Sequence, residues 1–268
     1  MKNSQSNHIA NPPKIILGGG VGPMAGVKLH EYIIAQTQNG GCDQGHADII
    51  HASQARLISD RTKFLLSDYQ NDPSIINPGQ QMAQKLAPLY QAYSQDQLVV
   101  GVPCNTFHAP VIFDSFVENS LAIKPDLKII NMIQATVEHV LESMPDIRKI
   151  GLMSTTGTRQ LGVYQTHIQA AGLELIQVSE STQAQLHDTI YNPDFGIKAF
   201  SSPVTNQARN NFLDYANDLV SQGAQVIILG CTEIPLALPE LHIQNVILLD
   251  PMQVLAGKLL QAGGYQTR

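Results

Sequence analysis

Short runs of apolar, largely β-branched residues recur along the chain, separated by longer segments whose apolar positions return every three to four residues. The short runs lie at Lys14–Leu17, Leu98–Val102, Leu127–Ile130, Lys149–Met153, Glu174–Val178, Val226–Leu229 and Val246–Leu249. Runs of this length with little polar alternation suit strands covered on both faces. The longer segments, at Gly26–Gln38, Gly79–Ala92, Ile133–Ser143, Thr158–Ala171, Thr205–Gln222 and Gln253–Gln261, predict helices. Their alternation predicts an α/β fold with parallel sheets.

The pattern also repeats at a larger scale. Ile15–Gly22 (IILGGGVG) resembles Ile150–Gly157 (IGLMSTTG), an apolar strand running into a turn of small residues. Val99–Thr106 (VVGVPCNT) resembles Val226–Thr232 (VIILGCT), and Ile129–Val140 (IINMIQATVEHV) resembles Leu248–Leu259 (LLDPMQVLAGKL). The same order in both halves predicts two similar α/β lobes related by pseudo-twofold symmetry. The first is expected over 14–130 and, through the last strand and helix, over 246–268; the second over 131–245. Ligands of parallel α/β sheets sit at the carboxyl ends of the strands, so the active site is expected in the cleft between the lobes.

Composition narrows the function classes. The formal charge is -6 and no Lys/Arg run tracks a phosphate backbone, which speaks against a nucleic-acid partner. No apolar stretch approaches the roughly 18–20 residues of a membrane span, so no membrane partner is expected. Residues 1–13 (MKNSQSNHIANPP) lack an apolar segment and read as a loose tail, not a secretory signal. Three widely spaced cysteines do not make a disulfide framework, so a reducing, cytoplasmic setting is expected. No CxxC, HxxxH or HExxH spacing occurs, and no metal is expected.

Two of the cysteines, Cys104 and Cys231, fall in matching slots of the repeat, each at a strand exit and followed by residues suited to capping a helix. A helix start there would favour a thiolate and hold a carboxylate. A buried cysteine ordinarily acts as a small hydrophobe; the matched setting of this pair argues for chemistry instead. Cys42, in NGGCDQG, has no such setting. Two opposed thiols suit the inversion of a stereocentre, where one base removes a proton from carbon and the other delivers one to the opposite face. The charge that develops next to a carboxylate would need backbone donors in a site sheltered from water.

At these residues the chain resembles the aspartate racemase branch of the aspartate/glutamate racemase family. The matching stretches are GGVGPMA (Gly19–Ala25), SDRT (Ser59–Thr62), PCNTFH (Pro103–His108), STTGT (Ser154–Thr158), GCTEIPL (Gly230–Leu236) and DPM (Asp250–Met252). The resemblance implies a cofactor-independent racemase, without pyridoxal phosphate or metal, that interconverts L- and D-aspartate with Cys104 and Cys231 as its two bases. It also implies that Asn105, Thr106, Thr155 and Thr232 hold the α-carboxylate and ammonium. Arg61, and less closely Lys198 in YNPDFGIKAF, would meet the side-chain carboxylate. Glu233 stands where glutamate racemases usually carry His, which favours the aspartate branch.

The implied partner is a small amino-acid substrate, and a homodimer is the default for a symmetric soluble enzyme. Other readings stay open at this stage. They are a glutamate or broad-range racemase, a maleate isomerase or decarboxylase, a non-catalytic amino-acid-binding relative, and a redox protein joining Cys104 to Cys231. His108 could tune Cys104 or sit as a neutral hydrogen-bonded residue.

Overall fold

A computed structural model of the chain describes residues 12–268. Of the expected tail, only Pro12 and Pro13 lie among the described residues.

The strands form two sheets. Lys14–Gly19 (β1), Ile49–Ser53 (β2), Leu98–Gly101 (β3) and Lys128–Ile129 (β4) make a parallel sheet in the order β2-β1-β3-β4. Lys149–Ser154 (β5), Glu174–Gln177 (β6), Val226–Gly230 (β7), His242–Ile243 (β8) and Val246–Leu249 (β9) make the second, in the order β6-β5-β7-β9-β8. This sheet is parallel except for the β8–β9 pair. The first four strands of the second sheet repeat the order of the first. The segments that resemble each other in sequence therefore occupy equivalent slots: β1 with β5, β3 with β7 and β4 with β9.

This equivalence corrects one expectation. The strand at 246–249 does not return to the first lobe; β9 pairs with β7, Val226 opposite Ile247. Its likeness to 129–130 reflects the same edge position beside the cysteine-bearing strand of each sheet. The crossover comes one element later, where helix Pro251–Ala262 packs against β3 and against helix Pro23–Gln36 of the first lobe. Reciprocally, helix Met132–Ser143 contacts Gln165–Ala170 of the second.

Burial follows the two-residue period of a strand. Ile150 and Leu152 of β5, with Val226 and Ile228 of β7, join the core shared with the first lobe. Met153, Ile227 and Leu229 face a second cluster built on the helices Glu180–Tyr191 and Asn206–Ser221. The helix expected over 158–171 is two, Thr156–Gln160 and Gln165–Ala170, separated by a turn at 161–164.

The lobes meet closely beside the site. A Cβ on Gly157 would stand 3.1 Å from the hydroxyl oxygen of Thr62, so any larger residue would need Thr62 to give way by a few tenths of an ångström. The loop after β1 is similarly tight: Gly22 has φ 130°, and a Cβ there would meet Glu233 Oε1 at 2.5 Å.

Candidate active site

Both cysteines sit just beyond the carboxyl ends of their strands. Cys104 follows β3 and caps a single 3-10 turn, Asn105–His108. Cys231 follows β7 directly and precedes the four-residue helix Ile234–Ala237. The sequence predicts a helix start after each cysteine, and both starts are short. With such short turns the helix dipole is slight, and the surroundings of each thiol are set by side chains.

Beside Cys104 stands Arg61, the first residue of helix Arg61–Leu65, whose start is fixed by Asp60 accepting from Lys63 N at 2.8 Å. The Arg61 Nη1 and Nη2 donate to Ser59 O at 3.1 Å and Val21 O at 3.0 Å. Its Nε is buried without a partner among the described residues. Burial alone would lower the guanidinium's affinity for its proton; Cys104 and Asp60 outweigh it, and the group stays charged. His108 donates from Nδ1 to Cys104 O at 2.9 Å. Burial pulls its pKa down to about 4, so the ring is neutral near pH 7.

Cys231 has a different setting. Its Sγ donates to Glu233 Oε2 at 3.1 Å, and Thr232 Oγ1 donates to the same oxygen at 3.2 Å. The other oxygen, Oε1, takes Lys198 Nζ at 2.7 Å. Burial first and the Glu233 charge second push the Cys231 thiol up, which keeps its proton in place. Burial would raise Glu233 as well, but Lys198 and the hydrogen bonds hold it below the usual carboxylate range. Lys198 is raised in turn: burial opposes its charge and Glu233 more than restores it. Lys198 Nζ also lies 5.5 Å from the ring centre of Tyr191. The Tyr191 phenol, pushed up to about 12 chiefly by burial, is 3.4 Å from Thr62 Oγ1 across the cleft.

Three hydroxyls close the floor. Thr106 Oγ1 lies 3.2 Å from Thr155 Oγ1 and 2.9 Å from Thr158 Oγ1, and the latter two are 3.1 Å apart. Thr155 also caps its own helix by accepting from Thr158 N at 3.2 Å.

All eight residues singled out from the sequence line one pocket: Cys104, Cys231, Arg61, Asn105, Thr106, Thr155, Lys198 and Thr232. Tyr191 and Glu233 line it too. From the sequence, Glu233 serves only to separate branches of the family, and Tyr191, the first residue of YNPDFGIKAF, carries no signal of its own. The pocket is narrow, with room for about one water. With Arg61 and Lys198 against Glu233, its fixed charge is positive by one. A wider groove on the second lobe, lined by Asp188, Asp214 and Asp218 among others, shares none of these residues. Among the described residues no three His, Cys, Asp or Glu side chains converge as metal ligands, and no helix is long and apolar enough to cross a membrane.

A family model described as Asp/Glu/Hydantoin racemase matches residues 19–259. The aspartate racemase of Picrophilus torridus superposes with a TM-score of 0.71 at 20% identity, covering 96% of both chains. A glutamate racemase from Francisella tularensis, solved in complex with D-glutamate, superposes with a TM-score of 0.58 at 20% identity, covering 94% of this chain and 80% of that one. At these identities the likeness is one of fold. A stretch of 122 residues is 25% identical to the "Uncharacterized protein in pnlA 3'region" of Pectobacterium carotovorum subsp. carotovorum, covering 46% of this chain and 75% of that protein.

Proposed function

The chain belongs to the Asp/Glu/hydantoin racemase family, and from that premise we propose that it interconverts L- and D-aspartate without a cofactor, using Cys104 and Cys231 as opposed acid and base. The observation that carries this reading is the convergence of both thiols on one narrow pocket whose polar lining is positive by one. Aspartate near neutral pH has a net charge of minus one and complements it.

The two thiols differ at rest in a way the chemistry needs. Cys231 keeps its proton against Glu233, while Cys104 has Arg61 beside it instead of a carboxylate. One sulfur is thus equipped to take the α-proton and the other to deliver one from the opposite face. Thiols suit this exchange because their ordinary pKa, roughly 8.5, lies near enough to neutrality for both forms to be reached. The α-carbon is a weak acid, so charge developing on the α-carboxylate requires donors already in place. In this reading Asn105, Thr106, Thr155 and Thr232 hold the α-carboxylate and ammonium between them, in a site that excludes bulk water.

The side-chain carboxylate goes to Arg61, whose Nε has no partner among the described residues. Lys198 is engaged by Glu233, so its part is to keep that carboxylate ionised and to add to the local positive field. In this reading the lobes part to admit substrate to the narrow pocket and close around it.

The test is incubation with L-aspartate in deuterated water, without added cofactor, following α-hydrogen exchange and the appearance of D-aspartate. Both are expected, more strongly for aspartate than for glutamate or alanine in the same panel. Absence of both signals across the panel would overturn the reading.

A further inference from the structure

The first lobe places Asn105 next to Cys104, and the second lobe sends Tyr164 to meet it. The Tyr164 hydroxyl donates to Asn105 Oδ1 at 2.6 Å. Both residues are buried, Tyr164 completely and Asn105 with 2% of its surface exposed. Burial pushes the phenol well above its ordinary range, so it retains the proton it donates. The other end of the amide, Nδ2, is buried with no hydrogen-bond partner among the described residues, in a residue that lines the pocket. A buried amide nitrogen with both hydrogens unpaired is costly, and such groups commonly await a ligand or water.

We propose that Tyr164 is a positioning residue for the substrate. Its hydroxyl claims the Asn105 oxygen and so turns the amide nitrogen, not the oxygen, toward the carboxylate of the bound amino acid. This rests on the substrate reading given above. Without the phenol the amide has no fixed sense, and half a turn about its last bond would set Oδ1 against the carboxylate oxygens, where two acceptors repel.

The neighbourhood of Tyr164 supports the assignment. Tyr164 ends the turn that follows Thr156–Gln160. The capping residue of that helix, Thr155, and its third residue, Thr158, make the hydroxyl contacts to Thr106. One short segment of the second lobe therefore grips two consecutive residues of the first, Asn105 by its oxygen and Thr106 by its hydroxyl. Tyr164 hydrogen-bonds neither to Glu233, the partner of Cys231, nor to Arg61 beside Cys104, so its effect is expected on binding more than on proton transfer.

Calorimetric titration of L-aspartate into the wild-type protein, Tyr164→Phe, Asn105→Ala and the double variant tests this. Tyr164→Phe is expected to weaken binding about tenfold, the effect of leaving one buried polar partner unclaimed. The double variant is expected to bind no more weakly than Asn105→Ala alone, because Tyr164 acts only through the amide. Wild-type affinity in Tyr164→Phe, or an undiminished further loss on top of Asn105→Ala, would overturn the proposal. If Tyr164→Phe does not fold, Asn105→Asp decides. It keeps the phenol's bond but turns an anionic oxygen to the ligand, so affinity should fall by more than about a hundredfold; unchanged affinity would contradict the proposal. Failure of the wild-type protein to bind any amino acid of an acidic and neutral panel is a different result, overturning the substrate reading and this inference with it.

Discussion

Cys231 and Glu233, two positions apart in the chain, are joined by an S–H···O hydrogen bond of 3.1 Å, and the carboxylate that accepts it is ionised because Lys198 lies 2.7 Å from its other oxygen. A thiol facing a fixed negative charge holds its proton. The pair thus separates Cys231 from Cys104, which lies beside a guanidinium, although the strands bearing the two are equivalent.

Replacing the carboxylate by its amide isolates this effect. In Glu233→Gln the charge that raises Cys231 is gone while Lys198 remains, so thiolate forms at lower pH. The midpoint of Cys231 alkylation by iodoacetamide, followed by peptide mapping, is expected to move down by about one unit or more. An unchanged midpoint would remove Glu233 from its assigned part.

Lys198→Met leaves the Glu233 carboxylate buried without its cation. The expected loss of stability is about 3–5 kcal/mol, the usual cost of breaking a buried pair from one side. Lys198→Met combined with Glu233→Gln should recover most of it. Denaturant midpoints measure both, and a single variant as stable as the wild type would contradict the pairing.

Arg61→Ala separates substrates. Loss of a buried partner for the side-chain carboxylate should lower kcat/KM for aspartate by roughly a hundredfold. Residual turnover of an amino acid lacking that carboxylate should fall much less. Equal losses on both would show that Arg61 acts on something other than the side chain.

Two buried groups oppose each other in acid. His108 is lowered to about 4 from 6.5. Its contribution is present above the unfolded value and is lost as pH falls through that interval, because the unfolded chain takes up the proton first. Asp250, which caps helix Pro251–Ala262 and accepts from Tyr32 at 2.8 Å, is raised to about 6 from 3.8, chiefly by burial. Its contribution has the opposite sign, present below the unfolded value and lost as pH rises through 6. Each amounts to about 3 kcal/mol, and between pH 4 and 6 they largely cancel. Relative to the wild type, Asp250→Asn should lose stability on acidification from pH 6 to 4 and His108→Asn should gain it. Parallel curves for all three proteins would contradict the assignment.

Much of this arrangement was legible in the sequence, for identifiable reasons. Strands such as Val226–Gly230, covered on both faces, have apolar residues at nearly every position and stand out. Ile49–Ser53 was missed because it is an edge strand, only partly buried, with His51 at its centre. Helix Glu180–Tyr191 buries Gln183 and Thr189 along with Leu186 and Ile190, so its inner face carries a weak apolar signal.

The repeat identified equivalent elements, yet equivalence fixes a place within a lobe and not which lobe receives the following helix; that depends on packing against Pro23–Gln36. The cysteines and threonines were readable because each sits in a motif at a strand exit. Tyr191, at the far end of a helix, and the Lys198–Glu233 pair, 35 residues apart in sequence, are products of tertiary folding. Tyr164 belongs with them, 59 residues from the asparagine it binds.

The central claim is that both sulfurs take part in moving the same α-hydrogen. Cys104→Ser and Cys231→Ser, each incubated with L-aspartate and separately with D-aspartate in deuterated water, test it most directly. The account predicts that each single change lowers racemisation in both directions by at least about a hundredfold, the low end for loss of a general acid or base. Normal racemisation in either variant would contradict it.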